Sequence, residues 1–188
     1  MSTTTLRLPS GLLALCAVCA TLGAAAEAGA LSVPGLARGD AMSVFRVTKS
    51  ENRNEVHYGL RVDAACSPRS EAPLVAYWRM FERGPSAIER LAAHEGRAYG
   101  IGSQRLVRVG ERVELHTTLY AVPTRALRII AVAQQGGCRA GAFTRIGAAT
   151  LARLDAVHVV TAGFGLIDHI ALLGHTADGR VVREVLQP

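Results

Sequence analysis

The chain has 188 residues, with 21 basic side chains against 15 acidic ones and a formal net charge of +6. At 49% apolar and 19% charged it is too apolar for a disordered chain, and its four cysteines are too few for a disulfide-dense miniprotein. The length suits one domain, and because Lys49 is the only lysine, the positive charge is carried by arginine.

The N-terminus reads as an address. Arg7 is followed by an apolar run over 12–22 and then by small residues ending in Ala28-Gly29-Ala30. A single cation, a short apolar stretch and a small-residue cleavage site make a signal peptide over 1–30, cut after Ala30 or else after Ala28. The apolar stretch over 11–26 is shorter than the roughly 20 residues that span a bilayer. Leu15 precedes Cys16 and Val18 precedes Cys19, so neither cysteine follows the small residue of a lipoprotein site. Both would leave with the leader. Cleavage predicts a mature chain of 158 residues that keeps the +6 charge, because Arg7 and Glu27 are lost together. The expectation is an exported protein, periplasmic or secreted and not integral to the membrane. Residues 31–42 read as a short linker and 43–188 as a single β-rich domain.

From residue 43 the dominant period is two. Strands are expected near 43–48, over 56–62 (Val56, Tyr58, Leu60 and Val62 alternating with polar residues and Gly59), and over 74–81. A short helix follows over 86–95, where Ser86 and Glu89 have capping-box spacing and Ile88, Leu91 and Ala92 share a face. Further strands are expected near 104–109, 114–120, 127–133, 142–147, 152–161, 165–174 and 180–186, separated by Gly- and Pro-bearing turns. The fold class is all-β, a mainly antiparallel sandwich or barrel of about nine strands with one helix.

Cys66 and Cys138 remain after cleavage, both in turn-like surroundings. An even cysteine count in an exported chain points to a disulfide. The alternative is two thiols at opposite ends of the fold. Cys138 follows Gly137 and precedes Arg139, a faint likeness to the cysteine motif of the L,D-transpeptidases. The arginine spacing and the upstream histidine segment of those enzymes do not match, so no catalytic residue is assigned.

A set of ordered phrases carries a broader likeness. Asn52-Arg53-Asn54-Glu55-Val56-His57-Tyr58 has the form N-x-N-x-V-x-Y, followed by Ala76-Tyr77-Trp78 and Ala98-Tyr99-Gly100, and by Leu173-Gly174-His175 with Asp178-Gly179. In order and spacing this resembles the bacterial family called domain of unknown function 4833, over about 44–187. The resemblance implies a single exported domain and no particular activity.

Candidate ligand-binding residues are Asn54, Tyr77, Trp78, Arg79 and Tyr99, since aromatics and a cation at a pocket mouth can stack and donate hydrogen bonds. The competing reading puts Trp78 in the core and uses the asparagines to hold a turn. His158 and His169 are the weak metal candidates. A two-residue loop at Gly163-Phe164 would place them opposite each other on one sheet face. No cofactor is implied, because hydrolase elbows, Walker loops and dinucleotide fingerprints are missing from the sequence. The arginines favour an anionic envelope component or a small ligand as partner, and the export signal disfavours nucleic acid. The functional expectation is a non-enzymatic ligand- or partner-binding β domain in the cell envelope. The alternative is an envelope enzyme with a histidine- or cysteine-based site.

Overall fold

A computed structural model describes residues 41–187 apart from 70, 71, 85, 164 and 165. The signal peptide and nearly all of the linker therefore lie outside the described residues. Eleven strands form one mainly antiparallel sheet. They are β1 (Met42–Lys49), β2 (Asn52–Leu60), β3 (Leu74–Arg79), β4 (Ile88–Arg90), β5 (Ile101–Val109), β6 (Arg112–Leu119), β7 (Val122–Gln134), β8 (Gly137–Ile146), β9 (Ala149–Thr161), β10 (Ile167–His175) and β11 (Val181–Leu186). Helix α1 (Ala93–Tyr99) lies between β4 and β5.

The helix begins later than the capping pattern predicts. Ile88, Glu89 and Arg90 pair with Arg79, Trp78 and Tyr77 instead. A free edge on β3 offers those residues a ladder, and tertiary pairing overrides a short local signal. The carboxylate that caps the helix is Glu95, which accepts the Ala92 N–H at 2.7 Å. The helix stops at Gly100, whose N–H reaches the Gly96 carbonyl at 3.0 Å.

Strand β9 organises the sheet. Its first half pairs antiparallel with β8, its second half pairs parallel with β1, and β10 runs along its other edge. Two arms leave this junction, one through β1, β2, β3 and β4 and the other through β8, β7, β6 and β5. The arms curl over one core cluster that includes Val47, Val56, Tyr58 and Leu60 from the first and Leu115, Ile129, Ala142 and Ile146 from the second. Period-two alternation puts these residues inward, as the sequence predicts.

The sheet does not close into a barrel. Its arms meet where β3 faces β5, and a side chain makes the join. The Gln104 amide accepts the Leu74 N–H at 3.0 Å and donates to the Leu74 carbonyl at 3.3 Å. Between Leu119, Leu127, Leu154, Val157 and Leu172 the core leaves a void of about 10 Å³. That is at most the size of one water, so this part of the interior holds no ligand.

Candidate functional site: the outer arginine face

Strand alternation divides the five ligand-binding candidates between two faces. Trp78 faces the core side and meets Tyr99 edge-on, with ring centroids 5.6 Å apart. Asn54 lies on that same face of β2, buried, with its N–H accepted by Asn52 Oδ1 at 2.9 Å. The asparagine phrase therefore holds the turn into β2. The indole Nε1 of Trp78 and the Oδ1 of Asn54 are both buried without a hydrogen-bond partner. Tyr77 and Arg79 point the other way. Tyr77 stacks near His57 at 6.0 Å, and the Arg79 guanidinium lies over Phe81 at 5.1 Å.

One of several histidine–carboxylate pairs, and the most buried of the three closest, is on that outer side of β2. Glu55 Oε2 lies 2.8 Å from His57 Nε2. Burial lowers the pKa of His57, outweighing the pull of the Glu55 carboxylate in the other direction. The remaining nitrogen, Nδ1, is buried and has no partner. A general base must reach the proton that it removes, and a ring nitrogen closed off from solvent does not.

The two weak metal candidates do not face each other. His158 pairs with Ala171, and His169 with Val160. The loop is longer than two residues, closed by the Ala162 N–H on the Leu166 carbonyl at 2.8 Å, and this shifts the register. His158 Nδ1 is 2.8 Å from the Thr48 hydroxyl, and His169 Nδ1 is 2.7 Å from Asp168. Among the described residues no group of three or more metal-ligating side chains comes together.

Cys66 and Cys138 form a disulfide with their Cα atoms 5.4 Å apart. The bridge ties the β2–β3 loop to the first residues of β8.

The feature that the sequence did not single out is the outer face of the β5–β9 arm. Register places its outward side chains in rows that cross the strands. One row runs through Arg105, His116, Arg128, Phe143 and Arg153. In the next row Val107 faces Glu114, and Ile130 faces Gly141. In the last, Val109 faces Arg112, and Val132 faces Arg139. Asp155, exposed on the same side of β9 two residues after Arg153, ends the second row, so the rows hold five arginines and two carboxylates, a formal charge of +3 with His116 neutral.

The other carboxylate is Glu114, which is fully buried beneath its partners. Arg128 grips it with Nε and a terminal nitrogen, each at 3.1 Å. Arg112 Nε reaches it at 3.1 Å, and His116 Nε2 stands 3.4 Å away. Burial alone would raise its pKa. Hydrogen bonds from Arg128 and His116, with the charges of Arg128 and Arg112, outweigh that and hold the carboxyl below its ordinary 4.5. Glu114 is thus the tie that lets cationic side chains lie side by side on one sheet.

This sets a pH-dependent expectation. Glu114→Ala leaves Arg112 and Arg128 facing each other and should destabilise the fold by about 2 kcal/mol at pH 7, less than a deeply buried pair because both arginines are part-exposed. A carboxyl with a depressed folded pKa adds stability above its unfolded pKa and loses it as pH falls through the folded one. The gap between wild type and variant in urea unfolding should therefore be full above pH 5 and shrink below pH 4.5. A gap independent of pH would show that Glu114 acts through packing and not through charge.

Arg153 and Arg139 have no such tie. The Nε of Arg153 is buried without a hydrogen-bond partner. Arg139 is exposed at the start of β8, next to the disulfide. Together with Arg112 they rim an open groove of about 370 Å³, floored by Ile130, Val132, Gly141 and Phe143.

The sequence model of a family described as Domain of unknown function (DUF4833) matches residues 45–185, and the chain belongs to that family. No curated protein matches the chain, and neither does any solved structure.

Proposed function

We propose that this member of the DUF4833 family is an exported, non-enzymatic binding module whose outer arginine face engages an anionic component of the cell envelope. The observation that carries the reading is the concentration of charge. The rows between β5 and β9 hold a formal +3, half of the +6 of the whole chain. Export is supported by the N-terminal pattern and by the disulfide, a bond far commoner in oxidising compartments than in the cytoplasm. The small void at the core supports recognition at the surface over enclosure of a ligand within the fold.

The test is retention of the purified protein on an immobilised polyanion such as polyphosphate at increasing salt. Binding should weaken steeply as salt rises, because exposed charges are screened over roughly 10 Å at 0.1 M. The double reversal Arg105→Glu/Arg139→Glu should cost about tenfold or more in affinity. Arg180→Glu, in the turn before β11, should cost far less. Equal losses from the two reversals would mean that net charge, and not this face, does the binding. Retention that ignores salt would reject the reading altogether.

A further inference from the structure

We infer that the groove between Arg112, Arg139 and Arg153 is a subsite for one phosphate group carried on an apolar body. The inference rests on the arginine-face reading above and deepens it. Three observations converge on this groove and not on the rest of the face.

The first is an unsatisfied donor. Buried polar groups nearly always have partners, yet Arg153 Nε is buried and has none. Nε itself is closed off from solvent, but among the described residues Arg153 makes no ion pair, and its side chain lines an open groove, so its terminal nitrogens are left for an acceptor on a ligand.

The second is the arrangement of the cations. Arg112, Arg139 and Arg153 stand on β6, β8 and β9, so they approach the groove from different sides. Arg112 is fixed through its Nε on Glu114, which leaves its terminal nitrogens to donate elsewhere. A planar carboxylate is matched by a single guanidinium fork. A tetrahedral phosphate presents oxygens in several directions and can accept from three forks at once.

The third is the floor. Ile130, Val132 and Phe143 present apolar surface outward, in the middle of a charged face where alternation calls for polar side chains. Val132 is 42% exposed. Gly141 lies at the centre of the floor, and a side chain there would press on the Phe143 ring at 3.3 Å and on Arg153 Nε at 3.4 Å. The glycine, itself buried, lets the ring and the guanidinium lie close against the sheet. A purely electrostatic surface needs none of this, whereas a ligand with an apolar portion beside its phosphate uses all of it.

A phosphate of this kind occurs in a lipid headgroup with its glycerol and first methylenes, and also in a polymer in which phosphate alternates with less polar units. Both sources share the chemistry, and a monomeric probe tests it without either assembly. The probes are hexyl phosphate, inorganic phosphate and hexanol, titrated into the purified protein and followed by amide chemical shifts and calorimetry.

Hexyl phosphate should bind at least about tenfold more tightly than inorganic phosphate, since shielding two methylenes on the floor suffices for that factor. Hexanol should not bind measurably. Shifts should centre on Ile130, Val132, Gly141 and Phe143. Arg153→Gln should cost about tenfold for hexyl phosphate while leaving the spectrum that of a folded protein, and Gly141→Val should block the alkyl chain but not inorganic phosphate. Short-chain phosphatidylglycerol below its micelle concentration, against glycerol phosphate, then separates a lipid source from a polymer source.

Equal affinity for hexyl phosphate and inorganic phosphate would overturn the subsite and leave the broader reading standing. So would binding that is unaffected by Arg153→Gln or that maps to another face. A protein that binds hexyl phosphate in the groove yet ignores polyphosphate would overturn the broader reading and keep the subsite.

Discussion

Replacing both bridged cysteines, Cys66→Ala with Cys138→Ala, should lower the unfolding free energy by about 4 kcal/mol. The bridge closes a loop across a sequence separation of 72 residues, and long loops lose the most entropy when they are cross-linked. Its ends are held by independent local structure. Asp63 Oδ1 accepts the N–H groups of Ala65 and Ser67, at 2.9 and 2.8 Å, which fixes the turn around Cys66. Cys138 pairs with Ala133 at the tip of the β7–β8 hairpin. The bridge therefore joins the two arms of the sheet covalently, and it anchors the hairpin that carries Arg139. A domain of this size is stable by only about 5–15 kcal/mol in total, so the loss is a large fraction. Denaturant unfolding of the oxidised protein against the double variant measures it. Identical midpoints would mean that the arms hold together without the bridge. Weaker binding of hexyl phosphate by the double variant while still folded would show that the bridge also positions Arg139.

Much of the fold was legible in the sequence because its strands are half-buried. Val56, Tyr58 and Leu60 alternate with Glu55, His57 and Gly59, and the structure places the first set in the core. Phe45 and Tyr58 stack inside at 4.4 Å, and the Tyr58 hydroxyl donates to the Tyr99 carbonyl at 2.5 Å. The phrases that mark the family thus prove structural at several points: V-x-Y fills the core, and the glycine after Tyr99 ends the helix. The late helix start was not legible, because the pairing partner of Ile88–Arg90 lies on β3 and not in the local sequence. The histidine register failed for a similar reason, since loop length sets register and the loop is not a two-residue turn. The arginine face was hidden more deeply. Arg105, Arg112, Arg128, Arg139 and Arg153 belong to five strands, and no run of sequence shows them together. Only the cross-strand register assembles them, and only the buried Glu114 explains how the sheet tolerates them.

Gly174→Ala should cost on the order of 3 kcal/mol, at the upper end of what overpacking does. Gly174 lies on β10 opposite Leu154, at a register shift next to Leu173. Its backbone is not in the left-handed region, so conformational freedom is not what the glycine provides. A Cβ there would lie 2.1 Å from the Arg153 carbonyl oxygen and 2.8 Å from Ile146 Cδ1. The first of these atoms is backbone in the strand that organises the sheet and cannot swing aside as a side-chain end does. Relief requires β9 and β10 to separate at the shift, which strains the adjoining ladder and moves Arg153. Gly96→Ala is the matched control. A Cβ there meets nothing within 4 Å, and the position is inside α1. Alanine is the better helix former by about 1 kcal/mol, so this variant should hold or gain stability. Chemical unfolding of the two variants beside wild type decides the matter. Comparable small losses in both would mean that β9 yields easily at Arg153. A large loss in Gly174→Ala alone, with weakened hexyl phosphate binding in its folded fraction, would place the close approach of β10 at the root of both the fold and the position of Arg153.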